Sequence, residues 1–471
     1  MLVRPRAPRT RGSTHGGSRP RSPHPDSPDH AAPGGQLLEL FSASAMTNLG
    51  DGLMSIAVVW LASALTRDPL WITFVGLASR LPWLLFSLPA GVITDRFDRR
   101  LIVATMDVAR FVVVAVFAVV LLQHQDGLPT PAELAAGAPE PAQSTLLLAG
   151  LILMALVLGF AEVLRDNTAQ TLLPSIVDKR LLEKANGRMW GAETALNNFV
   201  GPPLAGFLVA IAIAIPFGAN AVFLAMSAVL IFSLKGTFRP RGAAAERSKR
   251  INWRAEIGEG FGWLWRHPVL RALALLLGAS NLAGAIATAL FVLFAQDVLG
   301  LFEGWQFGLL LTGIATGAIA GSLVAERIAA ALTEGRSLLS AMMTFGVGYT
   351  AIGLLSSGLA VWAVSVLIGF AIVLWNVITV SLRQRIIPDH LLGRVNSVYR
   401  FFGWGTISLG VLASGMLVTW LEPGLGREWA LRTPFLAAGA LSALLLPYAW
   451  ARVNTSAIEA AKAAAETGDH A

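Results

Sequence analysis

The chain has 471 residues, of which 55% are hydrophobic and only 14% are charged. A soluble domain carries about 25% charged residues, so this composition excludes an ordinary soluble protein. The lack of cysteine in the sequence excludes disulfides, thiolate metal sites and cysteine nucleophiles. The net charge of +7 does not indicate a nucleic-acid partner, because membrane proteins also accumulate lysine and arginine in their cytoplasmic loops.

The first segment, residues 1–35, is rich in arginine, proline, serine and glycine. It has too few apolar side chains to offset the entropy lost on ordering, and it has no apolar stretch of the kind found in signal peptides. We expect a disordered, basic cytoplasmic tail.

Apolar runs of about twenty residues, the length that crosses a hydrocarbon core about 30 Å thick, recur along the rest of the chain. They predict twelve spanning helices near residues 37–64, 69–94, 101–123, 145–169, 188–211, 215–236, 269–296, 305–332, 337–357, 359–382, 393–420 and 431–451. Residues 36–237 would form one six-helix bundle and residues 268–452 a second, with a cytoplasmic tail at 453–471. The predicted fold class is an all-α membrane protein.

The polar central loop, residues 238–267, contains apolar residues spaced for one face of a helix. These residues are Trp253, Ile257, Phe261, Trp263 and Leu264. We expect a short helix that lies on the inner membrane surface.

Basic residues mark one side of the membrane. They concentrate in the central loop and in the loops that follow the even-numbered spans. The opposite loops hold little beyond Arg67, Arg427 and Arg432. The positive-inside rule then predicts that both termini are cytoplasmic and that the protein resides in the cell inner (plasma) membrane.

The two halves of the chain repeat each other. The string "GFAEVL" at 159–164 returns as "GFAIVL" at 369–374, and Asn48 in "NLGDG" has its counterpart in Asn281 of "NLAG". Two homologous six-helix halves, related by an axis along the membrane normal, form a transporter arrangement with the substrate held between them.

The stretch "GVITDRFDRR" between the second and third spans contains Gly91, Asp95, Arg96, Arg99 and Arg100. It resembles the signature loop of the major facilitator superfamily, G-x-x-x-D-R-x-G-R-R/K, and departs from it at Asp98, where the pattern has glycine. The resemblance in spans, halves and loops covers residues 36–452. The strings "TLLPSIVDKRLLEKANGRM" and "FVGPPLAGFL" resemble the branch that contains enterobactin-type siderophore exporters and macrolide or multidrug efflux proteins.

This resemblance implies a monomeric transporter, not an enzyme, that needs no cofactor. In similar transporters an arginine at the inner end of span four pairs with the signature-loop aspartate, which implies a gating pair between Arg165 and Asp95. The string "GPPLAG", with Gly201, Pro202 and Gly206, is similar to a motif associated with antiporters. A packing kink is the alternative for this motif, because proline removes a backbone donor and glycine permits close approach.

Ionisable residues inside spans are costly and therefore indicate function. The proton-coupling candidates are Asp51, Glu193, Asp107, Arg110 and Glu162. For Asp51 the alternative is a buried aspartate that only stabilises a helix contact. Asp107 and Arg110 are three residues apart, and the simplest interpretation is that they neutralise each other along one helix.

Polar and aromatic residues near the middle of the spans form a candidate substrate pocket. They are Asn48, Arg80, Asn197, Asn198, Asn281, Trp375, Asn376 and Arg400. Interhelical hydrogen bonding or anchoring at the membrane interface is the alternative for the asparagines and Trp375. For Arg80 and Arg400 the alternative is an ion pair with a carboxylate on another helix. Span eight also carries Gly313, Gly317 and Gly321 at intervals of four, which predicts a close helix contact.

Together these features predict a secondary active transporter that exports a small amphiphilic compound by proton antiport and alternating access. No glycine-lysine pair is present, so the sequence lacks the phosphate-binding loop of an ATP-driven pump. The alternatives are a dedicated exporter of a siderophore or other secondary metabolite, a solute importer, and a transport-inactive membrane sensor. The expected partners are the small-molecule substrate, protons and the lipid bilayer.

Overall fold

The computed structural model describes residues 33–94, 96–177, 181–236, 238–239 and 253–466. Within these ranges twelve helical segments are long and apolar enough to cross a membrane, which confirms the predicted all-α membrane architecture. We number these segments α1 to α12 in chain order.

The first half contains α1 (Pro33–Leu65), α2 (Pro69–Thr94), α3 (Arg99–His124), α4 (Ser144–Ile176), α5 and α6 (Ile215–Ser233). Three pieces make up α5, namely an α-helix over Leu182–Thr194, a π-helical segment over Ala195–Val200 and an α-helix over Gly201–Ile211. The second half contains α7 (Pro268–Thr288, continued by Phe291–Asp297), α8 (Gly304–Leu332), α9 (Glu334–Leu354), α10 (Gly358–Ile386), α11 (Asp389–Leu425) and α12 (Arg427–Arg452).

Helix boundaries follow local capping chemistry. Pro69 begins α2, at a position where its missing N–H removes no helical hydrogen bond. Asp98 caps α3, because its carboxylate accepts a hydrogen bond from the backbone N–H of Arg100 at 3.0 Å. Gly426 alone connects α11 to α12 with φ +77°, a backbone conformation that glycine adopts without strain.

The same helix contacts recur in both halves, as the sequence repeat predicts. In the first half α1 packs on α6, α2 on α4 and α3 on α6, and in the second half α7 packs on α12, α8 on α10 and α9 on α12. The halves meet each other along two seams, α2 against α11 and α5 against α8.

The α5–α8 seam depends on glycine. A Cβ atom at Gly308 would lie 2.8 Å from the carbonyl oxygen of Pro202, and one at Gly304 would lie 2.9 Å from the carbonyl oxygen of Gly206. The two backbones therefore touch, and any larger residue would push the halves apart.

The glycines of α8 confirm the predicted close helix contact, and the partner is α10. A Cβ atom at Gly313 would lie 2.8 Å from the carbonyl oxygen of Trp362, and one at Gly321 would lie 3.2 Å from that of Phe370. This face of α8 serves packing.

Three shorter helices lie outside the spans. The predicted central-loop helix is present over Trp253–Arg266. A helix over Pro131–Ala135, between α3 and α4, was not predicted. The C-terminal tail also contains a helix, Thr455–Glu466, which the expected tail did not include. This helix packs on α9, and Lys462 forms an ion pair with Glu334 there.

Candidate functional site

Ion pairs and hydrogen bonds connect four helices inside the first half. Arg165 on α4 donates hydrogen bonds to the Asp107 carboxylate on α3 at 2.9 Å and to the Thr47 hydroxyl on α1 at 2.8 Å. It also donates to Asp166, its neighbour, at 3.1 Å. The Ser227 hydroxyl on α6 donates to the second oxygen of Asp107 at 2.6 Å. Since Arg165 and Asp107 are buried, their charges depend on these partners.

A second ion pair joins Arg110 on α3 to Asp51 on α1. The expectation that Asp107 and Arg110 neutralise each other is therefore corrected. Asp107 instead contacts Arg165 on α4 and Ser227 on α6, and Arg110 contacts Asp51 on α1. A partner on another helix neutralises each charge and also holds two helices together. The charge network comprises Asp51, Asp107, Arg110, Arg165 and Asp166, of which Asp107, Arg110 and Arg165 are buried.

Two further candidates lie within electrostatic range of the network, Glu162 on α4 and Glu193 on α5. Neither carboxyl group has a hydrogen-bond partner among the described residues. The charge of Arg80 on α2 also acts on Glu162. The cluster thus contains five carboxyl groups and three guanidinium groups. If all were ionised it would carry an excess of negative charge, which bound protons would relieve.

A cavity of about 420 Å³ lies in the second half, within the size range of small-molecule sites, about 300–1,000 Å³. Four of the predicted pocket residues line it: Arg80, Asn281, Trp375 and Asn376. Its aromatic wall further contains Phe291, Phe345, Tyr349, Trp404 and Phe435. Arg80 is the one charged side chain among the described lining residues, and it reaches the cavity from α2 of the first half.

The cavity and the charge network occupy equivalent places in the two halves. The offset that aligns 159–164 with 369–374 puts Trp375 where the first half has Arg165. The offset that aligns Asn48 with Asn281 puts Gly284 where the first half has Asp51. Equivalent positions of the repeat therefore contain ion pairs in the first half and line a cavity in the second.

The structure does not bring every predicted pocket residue to this cavity. Asn48 donates its amide to the Ser44 carbonyl of its own helix at 2.8 Å. Asn197 and Asn198 lie in the π-helical segment of α5 and are not among the lining residues. Arg400 lies in α11, and its side chain is outside the described residues.

The signature loop is described in part. Gly91 lies in the last turn of α2 and Arg96 in the turn after it. Asp95 lies outside the described residues, so its pairing with Arg165 stays a prediction. Arg99 donates to a backbone carbonyl of α4 at 3.1 Å and Arg100 to a backbone carbonyl just after α6 at 2.5 Å. These bonds anchor the start of α3 to two neighbouring helices.

Asp98, the departure from the signature pattern, has a structural role that the sequence did not reveal. Besides capping α3, its carboxylate accepts a hydrogen bond from the backbone N–H of Phe238 at 3.3 Å. The residue is buried. An aspartate here replaces the turn glycine of the pattern with a cap that ties α3 to the segment after α6.

The antiporter-like motif on α5 contacts α1 of the first half and α8 of the second half. A Cβ atom at Gly201 would lie 2.7 Å from the carbonyl carbon of Gly52 on α1, while Gly206 and the Pro202 carbonyl contact α8. The π-helical segment ends directly before the motif. Such segments interrupt the regular hydrogen-bond ladder and are frequent at functional sites.

A third cluster, which the sequence did not reveal, joins the halves at the end of the bundle that carries the α1–α2 turn. Arg67 in that turn forms an ion pair with Asp297 and donates to the Gln296 amide oxygen at 2.5 Å. Arg427 donates to the same Asp297 at 3.0 Å and to the Arg67 carbonyl oxygen at 2.9 Å. We call Arg67, Gln296, Asp297 and Arg427 the Arg67 cluster.

The Arg67 cluster is partly buried. Burial lowers the pKa of the Arg67 guanidinium from its ordinary value, the charge of Asp297 opposes this shift, and the charge of Arg427 adds to it. The available signal was that Arg67 and Arg427 are exceptions in loops otherwise poor in basic residues. Nothing in the sequence alone pairs them with Asp297, which lies 230 positions from Arg67 and 130 positions from Arg427.

In the described part of the chain no group of three or more histidine, aspartate or glutamate side chains could hold a metal ion. The carboxyl groups of Asp51 and Asp107 face arginines instead.

Comparisons with known proteins identify the family. The profile of the Major Facilitator Superfamily matches residues 40–411. The multidrug efflux pump Tap of Mycolicibacterium fortuitum is 26% identical over 418 residues, which cover 87% of this chain and 96% of that protein. Two solved structures share the fold over 88% of this chain and 99% of theirs with a TM-score of 0.65. One is a bacterial homologue of the iron transporter ferroportin in an inward-facing state, at 18% identity, and the other a point variant of the nucleoside transporter NupG, at 13% identity.

Twelve spans arranged in two repeated halves, together with a profile match over most of the chain, lead to one conclusion. This multi-pass membrane protein belongs to the Major Facilitator Superfamily of transporters.

Proposed function

We propose that this transporter exports a small amphiphilic, drug-like compound across the cell membrane in exchange for protons. Multidrug efflux is the activity in the name of the Tap relative, which is similar over 87% of this chain. The observation that carries the proposal is the difference between the halves. One half holds the charge network and the other, at the equivalent place, an aromatic cavity.

The charge network supports a proton site at Asp51. Arg110 is 2% exposed, and its Nε and Nη1 atoms have no hydrogen-bond partner among the described residues. A proton on Asp51 would therefore remove the ion-pair partner of a buried guanidinium, which must then find another carboxylate. Proton binding would in this way change which helices are tied together and so bias one arrangement of the halves.

The contacts between the halves support loading of the substrate from the cytoplasm. Among the described residues, the two halves are joined by hydrogen bonds, ion pairs and ring contacts. These contacts lie between the Arg67 cluster at one end and the stacked rings of Trp83 and Trp404. If the termini are cytoplasmic, as we propose from the basic loops, the closed end faces outward. In the other state Asp95, held by its proposed pairing with Arg165, would face the positive N-terminal end of α11 in the second half and so close the opposite end.

Transport by everted membrane vesicles from an efflux-deficient bacterial host tests the proposal. Vesicles that contain this protein should accumulate at least one compound of a drug panel when they respire, and an uncoupler that collapses the proton gradient should abolish the accumulation. Accumulation that persists after the gradient has collapsed would contradict proton coupling.

The Asp51→Asn variant tests the assigned proton site. We expect it to abolish gradient-driven accumulation while it still binds the same compound, because the amide cannot exchange a proton. Asp126→Asn is the matched control, since Asp126 is exposed and lies just beyond the last residue of α3. Unchanged accumulation by Asp51→Asn would clear Asp51 of the coupling role.

Three alternatives remain distinguishable by experiment. A dedicated exporter of a siderophore or other secondary metabolite would export one compound class and ignore the drug panel. An importer would raise the uptake of a solute in whole cells instead of its efflux. A transport-inactive sensor would bind a ligand without moving it, although the charge network favours a transporter.

A further inference from the structure

The cavity of the second half has a composition that selects among substrates. We propose that it binds planar aromatic anions, compounds whose fused rings carry a carboxylate or phenolate, in preference to aromatic cations of the same shape. This inference rests on the proposed export function, because it assigns the substrate class of that site.

Charge is the first argument. The described residues that line the cavity include no aspartate or glutamate, and Arg80 contributes a positive charge. No described residue forms an ion pair with Arg80. Glu162 lies within electrostatic range of Arg80 but is not among the residues that line the cavity. An anion would find a guanidinium with a free hydrogen-bonding fork, whereas a cation would be repelled by Arg80 and would gain only the aromatic ring faces.

Hydrogen-bonding capacity is the second argument. The indole N–H of Trp375 can only donate, and Trp375 is 4% exposed. The hydroxyl group of Tyr349, at 8% exposure, and the side-chain amide of Asn376 also line the cavity. None of these three groups has a hydrogen-bond partner among the described residues. The buried indole N–H of Trp375 can be matched only by an acceptor, such as an oxygen of the ligand, while the Tyr349 hydroxyl and the Asn376 amide can donate to the same group.

Shape is the third argument. Trp404, which lines the cavity, stacks on Trp83 of α2 with ring centroids 5.2 Å apart and planes 17° apart. Phe291 and Phe435, which also line the cavity, meet edge to face with ring centroids 5.8 Å apart. Flat ring faces and edges of this kind favour a flat aromatic ligand.

The position of Arg80 adds a consequence for transport. Arg80 lies on α2, in the first half, while the aromatic residues that line the cavity belong to the second half. An anion held by Arg80 would therefore contact both halves at once. Its affinity would depend on how the halves are arranged, as alternating access requires.

Two dyes with the same xanthene ring system and opposite charge test the proposal. Fluorescein is an anion and rhodamine 123 a cation near neutral pH, and fluorescence anisotropy measures the binding of each to the purified protein in lipid nanodiscs. We expect the wild type to bind fluorescein at least tenfold more tightly than rhodamine 123.

Variants then test the role of the cavity. Arg80→Gln should weaken fluorescein binding about tenfold without weakening rhodamine 123 binding, the effect expected from one charge-assisted contact. Arg80→Lys should retain most of the affinity. Arg336→Gln removes the same charge from an exposed position outside the cavity and should change nothing. Ser280→Trp should block the cavity and weaken fluorescein binding, and elution as a monodisperse peak shows that each variant is folded.

Equal or tighter binding of rhodamine 123 by the wild type would overturn the proposal, and so would unchanged fluorescein binding by folded Arg80→Gln. These results are separable from the test of export. Uncoupler-sensitive drug accumulation without fluorescein preference overturns the substrate class and leaves proton-coupled export intact. Arg80-dependent fluorescein binding without any gradient-driven transport supports the substrate class and overturns the export function.

Discussion

Asp297 holds the two halves together at the Arg67 end, so its neutralisation should favour the state that is open there. It accepts from Arg67 of the first half and from Arg427 of the second. In Asp297→Asn the amide keeps one acceptor, but two guanidinium groups remain close together without the carboxylate between them. The charge of Arg427 already acts unfavourably on Arg67.

The size of the effect follows from burial. The side chains of Asp297, Arg67 and Arg427 are 10%, 16% and 27% exposed, so water screens this cluster more than a core ion pair. Breaking a fully buried pair costs about 3–5 kcal/mol, and we discount this to about 2 kcal/mol here. A change of about 2 kcal/mol shifts the equilibrium between the two arrangements about 30-fold.

Spin-label distance measurements report this shift directly. The chain contains no cysteine, so two introduced cysteines carry the only labels. Gly127 of the first half and Gly424 of the second are suitable, because a Cβ atom at either position meets nothing within 4 Å. We expect Asp297→Asn to add or enlarge a population with a longer distance between these labels, and high salt to have a similar, smaller effect in the wild type.

Glu422→Gln is the matched control. Glu422 accepts from Arg427 at the same end of the bundle, but both residues belong to the second half. It should leave the distance distribution close to that of the wild type. If Asp297→Asn also leaves it unchanged, the Arg67 cluster does not hold the halves together and the reasoning fails.

Two further predictions concern stability, and tryptophan fluorescence during thermal unfolding measures both. Gly317→Val should destabilise the protein by about 2 kcal/mol, because a Cβ atom there overlaps the Val366 carbonyl of α10. The control Gly187→Val should not destabilise it, because Gly187 faces open space. Equal melting temperatures of the two variants would contradict the assigned contact. Asp98→Ala should lower the free energy of unfolding by about 1 kcal/mol through loss of the α3 cap, and Asp98→Gly should lower it by only about a few tenths of a kcal/mol. An Asp98→Ala variant as stable as the wild type would show that the cap does not contribute to stability.

The sequence predicted the fold well because each span carries its own signal. Long apolar runs, basic loops and an internal repeat are local or periodic features, and they lead to twelve helices in two halves without any knowledge of contacts. The α8 glycines were correctly interpreted as a packing face for the same reason. The helix over Thr455–Glu466 was missed, because a short, alanine-rich segment is not distinguishable from a polar tail by hydropathy.

The candidate site was predicted only in part, because its members are distant in sequence. Spacing suggested that Asp107 pairs with Arg110, but the actual partners lie on other helices. Four of the residues selected by intramembrane polarity, Arg80, Asn281, Trp375 and Asn376, line one cavity, and their role in binding a substrate stays a prediction. The Arg67 cluster was not predicted, because Arg67 and Asp297 are distant in the sequence and come into contact only in the folded protein.

Simultaneous measurement of substrate and proton flux tests the central claim most directly. The purified protein is reconstituted in proteoliposomes that contain a pH-sensitive dye, an acidic lumen is imposed, and a drug that the vesicle assay identifies as exported is added outside. Our account predicts that the drug accumulates while the luminal pH rises faster than without drug, and that Asp51→Asn abolishes both changes. Drug accumulation with no associated proton movement, or accumulation by Asp51→Asn at the wild-type rate, would contradict it.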